Sequence, residues 1–335
     1  MNLKMPFPYF GGKTRVADRV WQLLGVGCRA YVEPFAGSCA VLLARPSPVS
    51  GAETINDASC HVVNALRAIR SGNSADLAHL CIGPVAEVDM EATHYALVTR
   101  ADELRNRLGN PDYFDLQLAS WWIKGASAWI GGGWCTGDGP HAWSPEVGWH
   151  QRGGATKPGI SRPIPALGGG VGVNRKIPHV GSGVGVNQAR EKWLREWLSA
   201  LADRMSRVRV ACGDFERVLC PTTLDDAERT AVFLDPPYAG TEYVYGATAP
   251  VSQRVRAWCR NADPALRIVL AGRGAEHDEL LADGWRKEAW SGAPGYAGPA
   301  RIDARHTEAL WYSRSCWVRA PIRESAAKEK SHDNA

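Results

Sequence analysis

The sequence predicts an α/β fold, a doubly wound sheet interrupted by a long insertion that is mainly helical and then Gly-rich. Three observations predict it. Ala30 to Glu33 reads as a short strand that runs into the Gly-bearing turn Pro34-Phe35-Ala36-Gly37-Ser38 and then into CAVLLAR, so strand, turn and helix follow in that order. The segment ETINDASC, a strand ending near Asn56 and Asp57, and the helix HVVNALRAIR repeat the alternation and complete one βαβ unit. The alternation then returns late in the chain with RVRVACGDF, AVFLDPPY, RIVLAG and TEALWYS.

Each element has its own pattern. TRVADRVWQLLG places Val16, Val20, Leu23 and Leu24 on one helical face. From Ala92 to Ile130 the spacing is helical, and Trp121, Trp122, Trp129 and Trp134 read as the core of a packed lobe or as aromatics facing a partner. Residues 131–190 are rich in Gly and Pro and carry a near repeat, GGGVGVN and GSGVGVN. They read either as a flexible loop or as one that orders on a polyanion, where Gly permits close backbone approach. QAREKWLREWLSALADRM is helical, with Trp193, Trp197, Leu201 and Met205 at core spacing. A further helix is expected over HDELLADG, and the charged tail from Arg319 is expected to be disordered.

Composition narrows the class. Hydrophobic residues make up 45% and charged residues 22%, enough for a packed core. The nine cysteines are scattered with no CxxC pair, so neither a zinc site nor a disulfide framework is suggested. MNLKMPFPYF has no apolar leader and no stretch approaches a membrane span, which gives the expectation of a cytoplasmic protein. A net charge of +4 says little about partners. Its distribution says more: Arg152, Lys157, Arg162, Arg175, Lys176 and Arg190 occur among glycines without one Asp or Glu between 151 and 190, a stripe suited to phosphates.

The chemistry concentrates where AVFL meets Asp235-Pro236-Pro237-Tyr238. Proline cannot continue a sheet ladder and fixes φ, so a carboxylate and a ring are held on a stiff turn at the strand's C-terminal edge. Ligands bind at that edge in open α/β sheets. The exocyclic nitrogen of a planar base is a poor nucleophile, because its lone pair is delocalised into the ring. The Asp235 carboxylate and the Pro236 carbonyl can accept its two hydrogens and free the pair, and Tyr238 can stack on the base. Glu33 and Asp57 stand at two further strand ends, and an acid after the second strand commonly takes ribose hydroxyls.

The ordered set YFGGK (9–13), EPFAGS (33–38), IND (55–57), GDF (213–215) and DPPY (235–238) resembles the Dam-like, alpha-group DNA adenine-N6 methyltransferases. The resemblance implies a Rossmann-like methyltransferase sheet with residues 1–75 and 205–318 as the catalytic domain. It also implies an inserted target-recognition lobe over 76–204, which leaves 319–335 as the tail. It implies S-adenosylmethionine as cofactor, with Tyr9 and Lys13 lining the site, Glu33 near the methionine moiety, and Phe35 and Gly37 in the turn around it. Asp57 would bind ribose, Asp214 and Phe215 would flank the cofactor adenine, and Asp235 would border the cofactor. Asp235, Pro236 and Tyr238 match the catalytic motif. The implied partner is double-stranded DNA, whose adenine must be flipped out to be reached. No membrane partner is implied, and a cognate restriction nuclease stays open. Where family members commonly carry a second Gly in the first turn, Cys39 stands here.

Other amines use the same chemistry, so cytosine-N4 in DNA, adenine in RNA or a glutamine amide remain alternatives, as does a catalytically silent DNA-binding protein. A dinucleotide-dependent oxidoreductase is disfavoured, because Gly-x-Gly-x-x-Gly is absent after the first strand. Adenine is expected over cytosine because Tyr238, with Tyr243 and Tyr245, offers a broad stacking surface.

Overall fold

The computed structural model describes residues 3–7, 9, 11–25, 27–46, 51–82, 87–128, 134–135, 141–144, 148–151, 188–238, 251–290 and 308–316. A seven-stranded sheet organises them, with strands β1 (Ala30–Glu33), β2 (Glu53–Asp57), β5 (Val208–Cys212), β6 (Thr230–Leu234), β7 (Arg267–Arg273), β8 (Arg286–Trp290) and β9 (Glu308–Tyr312). Their order is β5-β2-β1-β6-β7-β9-β8, and the first five run parallel while β9 is antiparallel to β7 and β8. This is the expected Rossmann-like methyltransferase sheet. Strand order reverses between β1 and β6, so their C-terminal ends border the crevice where such sheets take ligands.

Both faces of the central parallel strands are covered: every residue of the apolar β6 is buried, as is all of β2, whose Glu53, Asn56 and Asp57 side chains are hydrogen-bonded or ion-paired. Tyr31, Phe233 and Trp311 are almost completely excluded from solvent, each worth about 1.5–3 kcal/mol of apolar burial.

The helices are α1 (Ala17–Leu24), α2 (Ala40–Leu43), α3 (Cys60–Arg70), α4 (Ser74–Cys81), α5 (Glu87–Thr99), α6 (Ala101–Arg107), α7 (Leu116–Ala128), α8 (Gln188–Met205) and α9 (Val251–Asn261). Gly25, at φ 77°, ends α1 one residue beyond its buried face. The predicted CAVLLAR helix is a single turn, α2. HDELLADG forms a 3₁₀ turn over Asp278–Asp283 instead of an α-helix, because Gly284 in the left-handed region closes it after six residues. Not anticipated were α4, α9, the edge strand β8 and the hairpin of β3 (His141–Ser144) with β4 (Gly148–Gln151), which lies in the segment read as Gly-rich loop.

Between β2 and β5, helices α4, α7 and α8 pack on α3, and Leu77, Leu118, Ile123, Leu198 and Met205 belong to the same hydrophobic cluster as Val20, Ile55 and Phe233. Trp122 and Trp134 are structural, whereas Trp193, expected in the core, is 47% exposed because α8 turns Leu194, Leu198, Leu201 and Met205 inward instead. Trp122 is buried and meets Phe7 edge-on at 4.8 Å, and Trp134 donates its ring N–H to the Trp122 carbonyl at 3.2 Å. Trp129, most of 129–187 and the tail from Arg319 lie outside the described residues. No helix among the described residues is long and apolar enough to cross a membrane.

Candidate active site

One cleft at the C-terminal edge of β1, β2 and β6 gathers most of the residues singled out in the sequence: Tyr9, Lys13, Glu33, Phe35, Gly37, Asp57, Asp214, Phe215, Asp235, Pro236 and Tyr238 all line it. Local sequence explains each placement. β6 ends at Leu234 and the chain leaves the sheet over 235–238 without regular structure, as two successive prolines require. Gly37 turns with φ 45°, and a Cβ there would stand 2.6 Å from the Tyr9 ring, so the turn and Tyr9 interlock only around glycine.

Asp57 anchors that turn. Its Oδ2 accepts the Gly37 N–H at 2.9 Å and its Oδ1 accepts the Ser59 N–H at 2.8 Å, while the Ser59 hydroxyl caps α3. Burial raises the Asp57 carboxyl above its ordinary range, and these two amides pull it back. Asn56 adds a second tie, donating to the carbonyls of Pro34 and Gly213 at 3.0 and 2.9 Å and so binding the β1 and β5 turns together.

The Asp235 end of the cleft carries a counter-ion that spacing alone does not reveal. Lys13 Nζ lies 2.9 Å from Asp235 Oδ2, donates to the Gly11 carbonyl at 2.7 Å, and stands 5.1 Å from the Tyr238 ring centre. Burial pushes the Asp235 carboxyl up and Lys13 opposes the shift, which favours an ionised acceptor in a poorly hydrated place. Tyr238 is buried, with the Arg273 guanidinium 4.7 Å from its ring centre on the other strand end. Arg273 and Glu308 were not found in the sequence. Arg273 lies in GRGAEH, a segment without a recognised pattern, and Glu308 precedes an ordinary apolar strand. They join the site because β7 and β9 pair Arg273 with Glu308. Burial raises the Glu308 carboxyl, with Lys13 lowering it.

The opposite end is aromatic. Phe35 stacks on Phe215 at 5.4 Å with an interplanar angle of 27°, and Asp214 stands at the start of the following turn, where its Oδ1 accepts the Glu216 N–H at 3.1 Å. Glu33 lies between the two ends, buried, and its Oε2 accepts the Tyr31 hydroxyl at 2.9 Å and the Leu42 N–H at 3.2 Å. Burial outweighs those two bonds and pushes the carboxyl up to about 8.

A raised carboxyl has a defined sign. The unfolded chain releases this proton near the ordinary glutamate value and the native chain holds it to about 8, so the stabilisation is complete at acid pH and is lost as pH rises through that window. Chemical denaturation from pH 5 to 9 should therefore show stability falling with pH, and Glu33→Gln should flatten the fall. A wild-type curve level across this range would refute the assignment.

The remaining expected residues are not placed with the site. Arg152, Lys157, Arg162, Arg175 and Lys176 lie outside the described residues, as do Tyr243 and Tyr245, and Arg190 is described only as backbone in α8. No group of three or more metal-ligating side chains occurs among the described residues.

Comparison with known families agrees with the geometry. The model for D12 class N6 adenine-specific DNA methyltransferases matches residues 9–106, a span that includes Tyr9, Lys13, Glu33, Phe35, Gly37 and Asp57 and ends before Asp214 and Asp235. No curated protein matches the chain. With the Rossmann-like strand order behind that match, and Asp-Pro-Pro-Tyr completing the same cleft, the chain is similar over its first third to the D12 class of N6 adenine-specific DNA methyltransferases.

Proposed function

We propose that the chain moves the methyl group of S-adenosylmethionine to the N6 amine of an adenine rotated out of duplex DNA, acting in the cytoplasm. The observation that carries this reading is one cleft with two differently equipped ends: Phe35, Phe215 and Asp214 at one, and Asp235, Pro236 and Tyr238 at the other. The first end fits a purine with an exocyclic amine, since two rings offer stacking and a carboxylate accepts. Asp57 and the Gly37 turn fit the ribose and the close approach of a chain beyond it, and Glu33 fits an ammonium group, whose charge would draw off its proton. The cofactor when bound supplies an electrophilic methyl group on a sulfonium.

The rest is done by this chain's own side chains. Asp235 accepts one hydrogen of the target amine and the Pro236 carbonyl the other, which favours a pyramidal nitrogen with its pair directed at the methyl group. As positive charge grows on that nitrogen, the Asp235 carboxylate, kept ionised against burial by Lys13, stabilises it. Tyr238 supplies the stacking face. We assign phosphate contact to Arg152, Lys157, Arg162, Arg175, Lys176 and Arg190 on the strength of their charge and the absence of acids among them.

The test is incubation with S-adenosylmethionine and duplex DNA, digestion to nucleosides and mass spectrometry. N6-methyladenine is expected, and N4-methylcytosine without methyladenine would overturn the choice of base. Binding of the same DNA titrated with salt reads the basic stripe: neutralising Arg175 and Lys176 should lower the slope by about one to two, and an unchanged slope would remove them from the interface.

A further inference from the structure

The aromatic end of the cleft includes a cation that the reading above leaves unused. Arg254 lies on α9, one turn beyond Val251, which lines the cleft. Its Nη1 donates to Asp214 Oδ2 and its Nη2 to Asp214 Oδ1, both at 2.9 Å, and Nη2 also donates to Glu216 Oε1 at 2.7 Å. The guanidinium carbon stands 4.9 Å from the centre of the Phe215 ring, the same ring that stacks on Phe35. Four contacts thus fix one planar group against the carboxylate and the aromatic face together.

At side-chain exposures of 41% for Arg254 and 48% for Asp214, such a pair adds little to stability. Its effect is orientation. A two-pronged guanidinium sets the plane of the carboxylate, which a lysine ammonium cannot do. It also holds the Asp214 carboxyl below its usual range, so Asp214 is an acceptor with no proton to give.

We propose that Arg254 is a positioning residue that makes the cofactor site selective for a 6-amino purine over a 6-oxo purine, by locking Asp214 as a fixed, acceptor-only group. This rests on the reading of Asp214 as the residue facing the cofactor's adenine. An amine donates to such a carboxylate, whereas a 6-oxo group would set oxygen against oxygen and leave both without a partner.

Calorimetry on the full chain with S-adenosylhomocysteine and with its deaminated analogue, S-inosylhomocysteine, tests both levels. Wild type should prefer the amino form. Asp214→Asn, which can donate, should erase that preference. Arg254→Gln should weaken S-adenosylhomocysteine about tenfold, a change of about 1.4 kcal/mol, and shrink the preference. Its effect in turnover should fall mainly on KM for the methyl donor, with kcat falling less than about threefold. Arg254→Lys should recover only part of the affinity, and it keeps the test readable if the glutamine variant loosens α9. If Asp214→Asn erases the preference while Arg254→Gln keeps wild-type affinity and preference, the role of Arg254 is refuted and the reading of Asp214 stands. If Asp214→Asn leaves the preference intact, the reading of Asp214 fails and takes the inference with it. Equal losses for both ligands in Arg254→Gln would also refute selectivity.

Discussion

Asp235→Ala is expected to lower the rate of methyl transfer by roughly two to four decades, the usual consequence of removing a preorganised polar group from a closed site. Methyl-donor binding should stay within a few-fold, because the aromatic end and the Asp57 anchor are untouched. The variant also deprives Lys13, which is 4% exposed, of its direct ion pair and leaves it the Gly11 carbonyl, the Tyr238 ring and the more distant Glu308. Some loss of stability is therefore expected with the kinetic loss. Single-turnover rates normalised to folded protein separate the two effects. Asp235→Asn, which retains one acceptor oxygen, should be less stranded and still slow. Turnover by Asp235→Ala within tenfold of wild type would remove Asp235 from the chemistry.

Arg67→Ala should be among the most destabilising substitutions in the chain. Arg67 is buried at 4% exposure and makes five hydrogen bonds, all to backbone carbonyls: two to Val210 at 3.3 and 3.0 Å, and one each to Leu108, Asn110 and Tyr113 at 3.1, 2.7 and 3.3 Å. No carboxylate is among these hydrogen-bond partners, so oriented peptide dipoles carry most of the compensation, with Asp112 acting from a greater distance. Burial lowers its pKa accordingly. Truncation leaves the carbonyls of β5 and of the turn after α6 without their donor, at a cost of about 3–5 kcal/mol. Arg67→Lys should recover little, since one ammonium cannot reach both groups. Urea denaturation measures this, and a loss under about 1 kcal/mol would show that water replaces the guanidinium.

The strand ends that border the cleft were legible in the sequence because their signals are local. Two prolines after AVFL can only end a strand, and a glycine between β1 and α2 can only mark a close turn. Asp57 was legible as a residue of the cleft, while its bond to the Gly37 N–H was not, since that bond depends on how β2 lies beside β1. Arg273, Glu308 and Arg254 were illegible for the same reason on a larger scale: β7, β9 and α9 meet the cleft through strand order and helix packing, and nothing in RVRAWCRN or GRGAEH announces it. Helix α9 itself hides behind a polar composition, its buried side reduced to Ser252, Val255 and Cys259. The division of the chain at 76–204 came with the resemblance, and the packing of that stretch's helices on α3, with the reciprocal bonds of Asn64 and Asp115 at 2.9 and 2.8 Å, was not legible in the sequence.

Cys39 carries a consequence for the enzyme's own survival. It takes the left-handed conformation, φ 52°, between cleft residues Ser38 and Ala40, and is fully buried. Any methyl donor is an alkylating agent, and the chain's best soft nucleophile is a thiolate. Cys39 escapes being ionised because burial, with Glu33 and Asp57 nearby, raises its pKa far above normal. Cys212, next to cleft residue Gly213, is pushed up to about 11 by burial. Cys220, whose thiol is instead lowered to about 7 by the hydroxyls of Thr222 and Thr223, does not line the cleft. The thiols beside the cleft are thus the ones that burial raises, while the lowered thiol of Cys220 stands outside the cleft lining.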